Sequence, residues 1–229
     1  AAASHSLTLD PRVKLSESTR SEPTLNLSAS VVKSIYDALG IQGVTDVSAL
    51  HLERELEHAA ISPEAAKESS DPMVCRYLNL VTALVNKRCL DVALELCTKI
   101  IERDKNCRGA YIRRGTALAL GGRLVEAVAD FTQAIGLDRQ DPDAYTRRAQ
   151  SREALGDVAG AVSDHSMAVL LLQRQVQSPA TRQALLTELQ MRGCACNHLG
   201  DYARASEDLA KVVGEAPDNI DAWAAMGKS

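Results

Sequence analysis

The chain has 229 residues, 45% of them hydrophobic but only 3% aromatic, and a formal net charge of -4. That length can bury a sizeable core, the scarcity of aromatics disfavours a β-sandwich, and no stretch reaches the ~18 consecutive apolar residues of a membrane helix. Residues 1–73 carry six Lys and Arg against eleven Asp and Glu and the remainder carries twenty against nineteen, so neither part has the basic stripe that nucleic acid requires.

Residues 1–27 are rich in Ser, Thr, Leu and charge, lack helical period and are interrupted by Pro11 and Pro23. They predict a flexible lead-in. From Ser28 the pattern changes, with Val31, Val32, Ile35, Tyr36 and Leu39 at helical spacing and Gly40 as a stop. A second helix is expected from Asp46 or Ser48 to about Ala60, carrying Leu50, Leu52 and Leu56. Ser62-Pro63-Glu64 then reads as an N-cap with proline in the first turn. Residues 28–72 are therefore expected to form an N-terminal helical capping segment. His51, Glu55 and His58 share a face of its second helix, which reads as solvated rather than catalytic.

Beyond residue 73 a fixed interval governs the chain. Tyr77, Tyr111 and Tyr145 are 34 residues apart. In the same frame Val81, Gly115 and Ala149 recur, as do Gly122 and Gly156, and Ala93, Ala127 and Ala161. Such a period means stacked repeats. These residues resemble the tetratricopeptide repeat, a pair of antiparallel helices with large and small residues at set offsets, and Tyr111, Gly115, Gly122, Leu124, Ala127, Phe131 and Ala134 all match. The resemblance covers roughly two thirds of the chain: repeats at 74–107, 108–141, 142–175 and 186–219, and a partial fifth at 220–229 with Trp223 and Gly227 in frame. The first repeat departs from the pattern, with Arg88 where glycine usually sits and Cys97 at the second aromatic place.

The ten residues between the third and fourth repeats lack a breaker until Ser178-Pro179. They predict a hairpin of two helices each lengthened by about five residues, ~7 Å in each. A chain of helix pairs that cannot bury their faces alone is stabilised by nearest-neighbour packing and needs covered ends. The predicted fold is therefore all-α: an α-solenoid of antiparallel helix pairs, a tetratricopeptide-like right-handed superhelix, with an N-terminal helical cap. Cut inside a repeat, residues 220–229 would leave Trp223 and Met226 without a partner helix, which predicts weak self-association.

No catalytic, cofactor or metal site is read. Gly121-Gly122 and Gly156 fall at the repeat's own turns rather than in a phosphate loop. Cys194 and His198 share a helix face but Cys196 does not, and a structural zinc needs four ligands. His165, at the third repeat's second aromatic place, reads as a core histidine. The six cysteines read as reduced thiols of a reducing, cytoplasmic compartment, and no basic, apolar leader is read at the start.

What the resemblance implies is a concave groove lined by the first helix of each pair, holding a protein or peptide partner. The residues two and five after the aromatic place point into it: Asn79, Thr82, Arg113, Thr116, Arg147 and Gln150, then Met191 and Cys194. Asn, Thr and Gln suit a peptide backbone and the two arginines suit an acidic segment. Arg114, Arg148 and Arg192 are expected to lay their stems between helices. The carboxylate clamp of the family's co-chaperone branch is disfavoured, because Leu78, Thr82, Arg113 and Asp143 occupy its places and only Arg147 agrees. The expected function is an interaction scaffold or adaptor, the alternatives being a recruiting domain of a larger enzyme or a co-chaperone with a non-standard groove.

Overall fold

The computed structural model describes residues 24–227 apart from 43, 45, 47, 176 and 177. The expected lead-in therefore lies outside the described residues up to residue 23. Twelve helices and no strand occur among the described residues. The fold is all-α, built from antiparallel helix pairs in series with a helical cap before them, and its contacts divide it into two compact units, residues 1–122 and 123–229.

The first unit begins with the cap: α1 (Ala29–Leu39), α2 (Ala49–Leu56) and α3 (Pro63–Glu68). Ser28, Ser48 and Ser62 cap these helices by accepting the amide hydrogens of Val31, His51 and Ala65. Gly40 ends α1 at φ 79°, a conformation that costs a residue without Cβ nothing. Val32, Ile35, Leu52 and Leu56, all fully buried, join the apolar cluster of the first repeat pair, α4 (Pro72–Asn86) and α5 (Leu90–Arg103). The last helix of the unit, α6 (Arg108–Leu120), packs on both α4 and α5.

Three details differ from the sequence reading. Thr24, Leu25 and Leu27, expected in the lead-in, are buried, because the Glu53 carboxylate of α2 accepts the amides of Thr24 and Leu25 at 2.6 and 3.2 Å and the Tyr77 hydroxyl at 3.0 Å. Glu55 is not on a solvated face: its carboxylate accepts the Tyr36 hydroxyl at 2.8 Å and its side chain is only 7% exposed. Burial, reinforced by Glu55, pushes the Tyr36 phenol well up from its ordinary range, so it stays a donor. And α2 stops at Leu56 instead of Ala60, and in the connection to α3 the carbonyls of Ala59 and Ala60 accept from the α4 side chains Arg76 and Asn79.

The second unit comprises α7 (Leu124–Leu137), α8 (Pro142–Ala154), α9 (Val158–Gln175), α10 (Pro179–Leu199), α11 (Tyr202–Glu215) and α12 (Ile220–Met226). Each helix packs on the next in the series. α9 and α10 run to 18 and 21 residues where the other repeat helices of the unit before α12 have 13 or 14. The lengthened hairpin is thus present, with Ser178 capping α10 and Pro179 in its first turn. Small residues let paired helices approach: Ala149 and Ala161 are fully buried, and a Cβ on Gly193 would stand 2.9 Å from Leu209 and 3.4 Å from the Ala205 carbonyl oxygen. Gly122, Gly156 and Gly200 turn the chain at φ 78° to 83°, whereas Arg88 takes the same turn at φ 63° with a side chain attached.

Candidate interaction site

The six residues predicted to line a groove fall on first helices of the pairs: Asn79 and Thr82 on α4, Arg113 and Thr116 on α6, Arg147 and Gln150 on α8. In the first unit the structure joins Thr82 and Arg113, whose Nε donates to the threonine hydroxyl at 2.9 Å. Arg113 also donates to the Gly109 carbonyl at 3.0 Å, which steers the guanidinium along α6. Thr116 instead donates back to Ile112 on its own helix.

Asn79 is occupied from within the chain. Its amide nitrogen donates to the Ala60 carbonyl at 3.0 Å and its amide oxygen accepts the Ser62 hydroxyl at 2.8 Å. Arg76 adds a bond to the Ala59 carbonyl at 3.1 Å, and the Cys75 thiol points at the carbonyls of Ala65 and Ser69. At the other end of α3 the Glu68 carboxylate meets Arg108 at 2.7 Å, with side-chain exposures of 9% and 21%. α3 therefore lies across α4 and α6, on the side of Asn79 and Gly109. Gly109 is what lets the carboxylate sit so low, since a Cβ there would be 2.8 Å from Glu68 Oε2. Arg108 escaped the sequence reading, because Val74 and Pro142 hold its place in the neighbouring repeats.

In the second unit Arg147 pairs with Asp143 at 2.7 Å on an exposed stretch of α8. An exposed i,i+4 pair of this kind contributes ~0.3 to 0.5 kcal/mol. Gln150 is exposed and its amide lies 3.7 Å from the Met191 sulfur on α10, which joins the two first helices along one face. Cys194 is half-buried, Cys196 buried and His198 exposed, and no group of three His, Cys, Asp or Glu converges for a metal among the described residues.

The arginines one place further on do more than lay down their stems. Arg148 grips Asp164 of α9 through two nitrogens at 2.9 and 2.7 Å, Arg152 adds a third bond at 2.8 Å, and Arg192 grips Asp208 of α11 twice at 2.7 Å. Asp164 and Asp208 are 2% and 1% exposed. Arg114 and Arg148 also lie 5.6 and 5.7 Å from the centres of the Tyr111 and Tyr145 rings. These are structural staples within pairs, and the signal for them was available, because Asp130, Asp164 and Asp208 keep one place in the repeat. His165 is fully buried, as expected of a core histidine. Its partner, Glu188 of α10, was missed: the carboxylate meets His165 Nδ1 at 2.8 Å and accepts Thr146 at 2.7 Å, and it stands where earlier repeats have Ala110 and Ala144.

Residues 189–219 match the family model for the tetratricopeptide repeat. No curated protein matches the sequence. Among solved structures the chain is similar to MamA protein, at 17% identity over 66% of this chain and 77% of that one with a TM-score of 0.57. A second MamA structure, residues 41 to end from Desulfovibrio magneticus RS-1, gives 18% identity, 83% and 96% coverage and a TM-score of 0.56. YrrB, described as a TPR protein with an unusual peptide-binding site, gives 21%, 73%, 82% and 0.54. At these identities the likeness establishes the tetratricopeptide fold. Among the described residues no helix is long and apolar enough to cross a membrane.

Proposed function

We propose that this tetratricopeptide-fold chain is an interaction scaffold whose first helices hold an acidic segment of a partner protein. One observation carries the reading: Arg108 on α6 already holds a carboxylate, Glu68, at 2.7 Å close to Gly109 and Arg113, in a setting that is largely shielded from water. A charge-assisted bond of that kind contributes ~1.5 to 3 kcal/mol. Asn79 shows the complementary skill, since it bonds a backbone carbonyl without regard to the side chain that follows. The peptide-binding site named for YrrB supports the same use of the fold. In the second unit Arg147 and Gln150 place the same residue types on α8, where Arg147 also engages a carboxylate, that of Asp143.

The six free cysteines fit an adaptor of a reducing compartment such as the cytoplasm. Burial pushes the Cys107 thiol up to about 11 and raises Cys75 and Cys196 as well, so these are packing groups rather than nucleophiles. Exposed Ile220 and Trp223 on α12 provide for weak self-association. The test is charge reversal. Arg147→Glu should weaken capture of the partner ~10- to 100-fold and Arg113→Glu with Arg147→Glu should abolish it, with helicity and melting unchanged. Full capture by a folded double variant would remove the acidic-segment reading.

A further inference from the structure

We infer that residues 59–69 are a displaceable occupant of the α4–α6 face, and that a partner segment bearing an acidic side chain three residues after a small one competes with them for it. The inference deepens the groove reading above and rests on it. Its ground is the way the segment is held. α4 and α6 grip it mainly through side chains on main-chain carbonyls, Arg76 on Ala59, Asn79 on Ala60 and Cys75 on Ala65 and Ser69, and through one carboxylate, Glu68 on Arg108. Contacts of this kind recognise a peptide main chain and an acid, and any segment offering both can make them.

The apolar anchorage is thin by comparison. Ala65 is the one described residue of 59–69 that is fully buried, with Ala59 and Ile61 only partly so. The helices before it, by contrast, place Val32, Ile35, Leu52 and Leu56 at 0% exposure in the core. The segment can therefore leave while α1 and α2 stay docked, which puts it among the parts of the molecule that open locally at low cost. Glu68 lies three residues after Ala65, so one face of a short helix presents the small contact and the acid together, and Gly109 keeps the space beneath the acid clear. That pattern is the recognition chemistry a competing partner would share.

Two measurements test this on the full chain. Hydrogen exchange of the unmodified protein should show the amides of 64–68 exchanging roughly 100-fold faster than those at the centre of α4, through an opening that leaves α1 and α2 protected. Protection of 64–68 equal to that of α4 would overturn the inference. The second uses a synthetic peptide of residues 58–70 as the probe, titrated to about millimolar levels, the effective concentration it enjoys as part of the chain. Glu68→Lys and, separately, Ala65→Arg should release the resident segment. The peptide should then shift the Asn79 side-chain amide resonance with an affinity about tenfold tighter than for the parent chain, where docking taxes binding. A peptide with its own Glu68→Lys change should not bind. Equal affinity for parent and released chains overturns the displaceable occupant even if charge reversal at Arg147 still abolishes partner capture. Tighter binding to the released chains upholds it even if that capture is unaffected.

Discussion

The first helix pair of unit one and the last full pair of unit two solve the same packing problem with opposite chemistry. Leu80 of α4 and Leu96 of α5 occupy the repeat places that Arg192 of α10 and Asp208 of α11 occupy 112 residues later. Both leucines are fully buried in the apolar cluster, while the arginine and aspartate form a twofold hydrogen-bonded ion pair with the aspartate 1% exposed. The helix-pair frame is thus indifferent to whether this contact is oily or ionic, provided both members change together. Arg148 with Asp164 follows the ionic solution, so the apolar version belongs to the pair that carries the cap.

Breaking one member should expose that dependence most strongly. Asp208→Leu leaves the Arg192 guanidinium without its hydrogen-bonded carboxylate and should cost ~3 to 5 kcal/mol in denaturant unfolding. Arg192→Leu with Asp208→Leu, which copies the first repeat, should recover most of that loss. A double variant as unstable as the single one would show that the two solutions are not interchangeable. The His165–Glu188 contact is a smaller instance of the same rule. Glu188→Ala strips His165 Nδ1 of its partner and should cost ~1 to 3 kcal/mol, while His165→Phe with Glu188→Ala, which restores the residues of earlier repeats, should be near neutral by the same unfolding measurement.

Backbone spacing sharpens the comparison further down the scale. Gly193→Ala drives a methyl against Leu209 and should cost ~1 to 3 kcal/mol, read as a lower melting temperature. Arg88 in unit one performs a turn that Gly156 and Gly200 perform in unit two. Arg88→Gly should therefore stabilise by about 1 kcal/mol, since the left-handed conformation penalises a residue with a Cβ. A neutral or destabilising outcome would mean that the Arg88 side chain offsets its own strain.

What was legible in the sequence was whatever repeats. The 34-residue frame placed the paired helices, the Ala and Gly contacts between them and the glycine turns, and the missing breaker before Ser178 gave the long α9–α10 hairpin. The Asp164 and Asp208 staples lay in the same frame, but an acid on an amphipathic helix reads as solvent-facing until its arginine is known to reach across the pair. The segment after Leu56 was illegible for a different reason. Glu57-His58-Ala59-Ala60 has good helix formers, and nothing in that stretch announces that the carbonyls of Ala59 and Ala60 bond to Arg76 and Asn79 of α4, far along the chain. Of the predicted groove residues, the structure joins Thr82 to Arg113, commits Asn79 to the chain's own segment, turns Thr116 back on its helix and sets Gln150 beside Met191.

The central claim is that partners engage the face formed by the first helices, and position-specific photo-crosslinking addresses it most directly. Gln150 is exposed on α8 beside Met191, and Val125 is 70% exposed on α7, a second helix of its pair. A photoreactive residue at Gln150 should form a covalent adduct with the bound partner, and the same residue at Val125 should not. Adducts from Val125 with none from Gln150 would contradict the account and move recognition to the second helices.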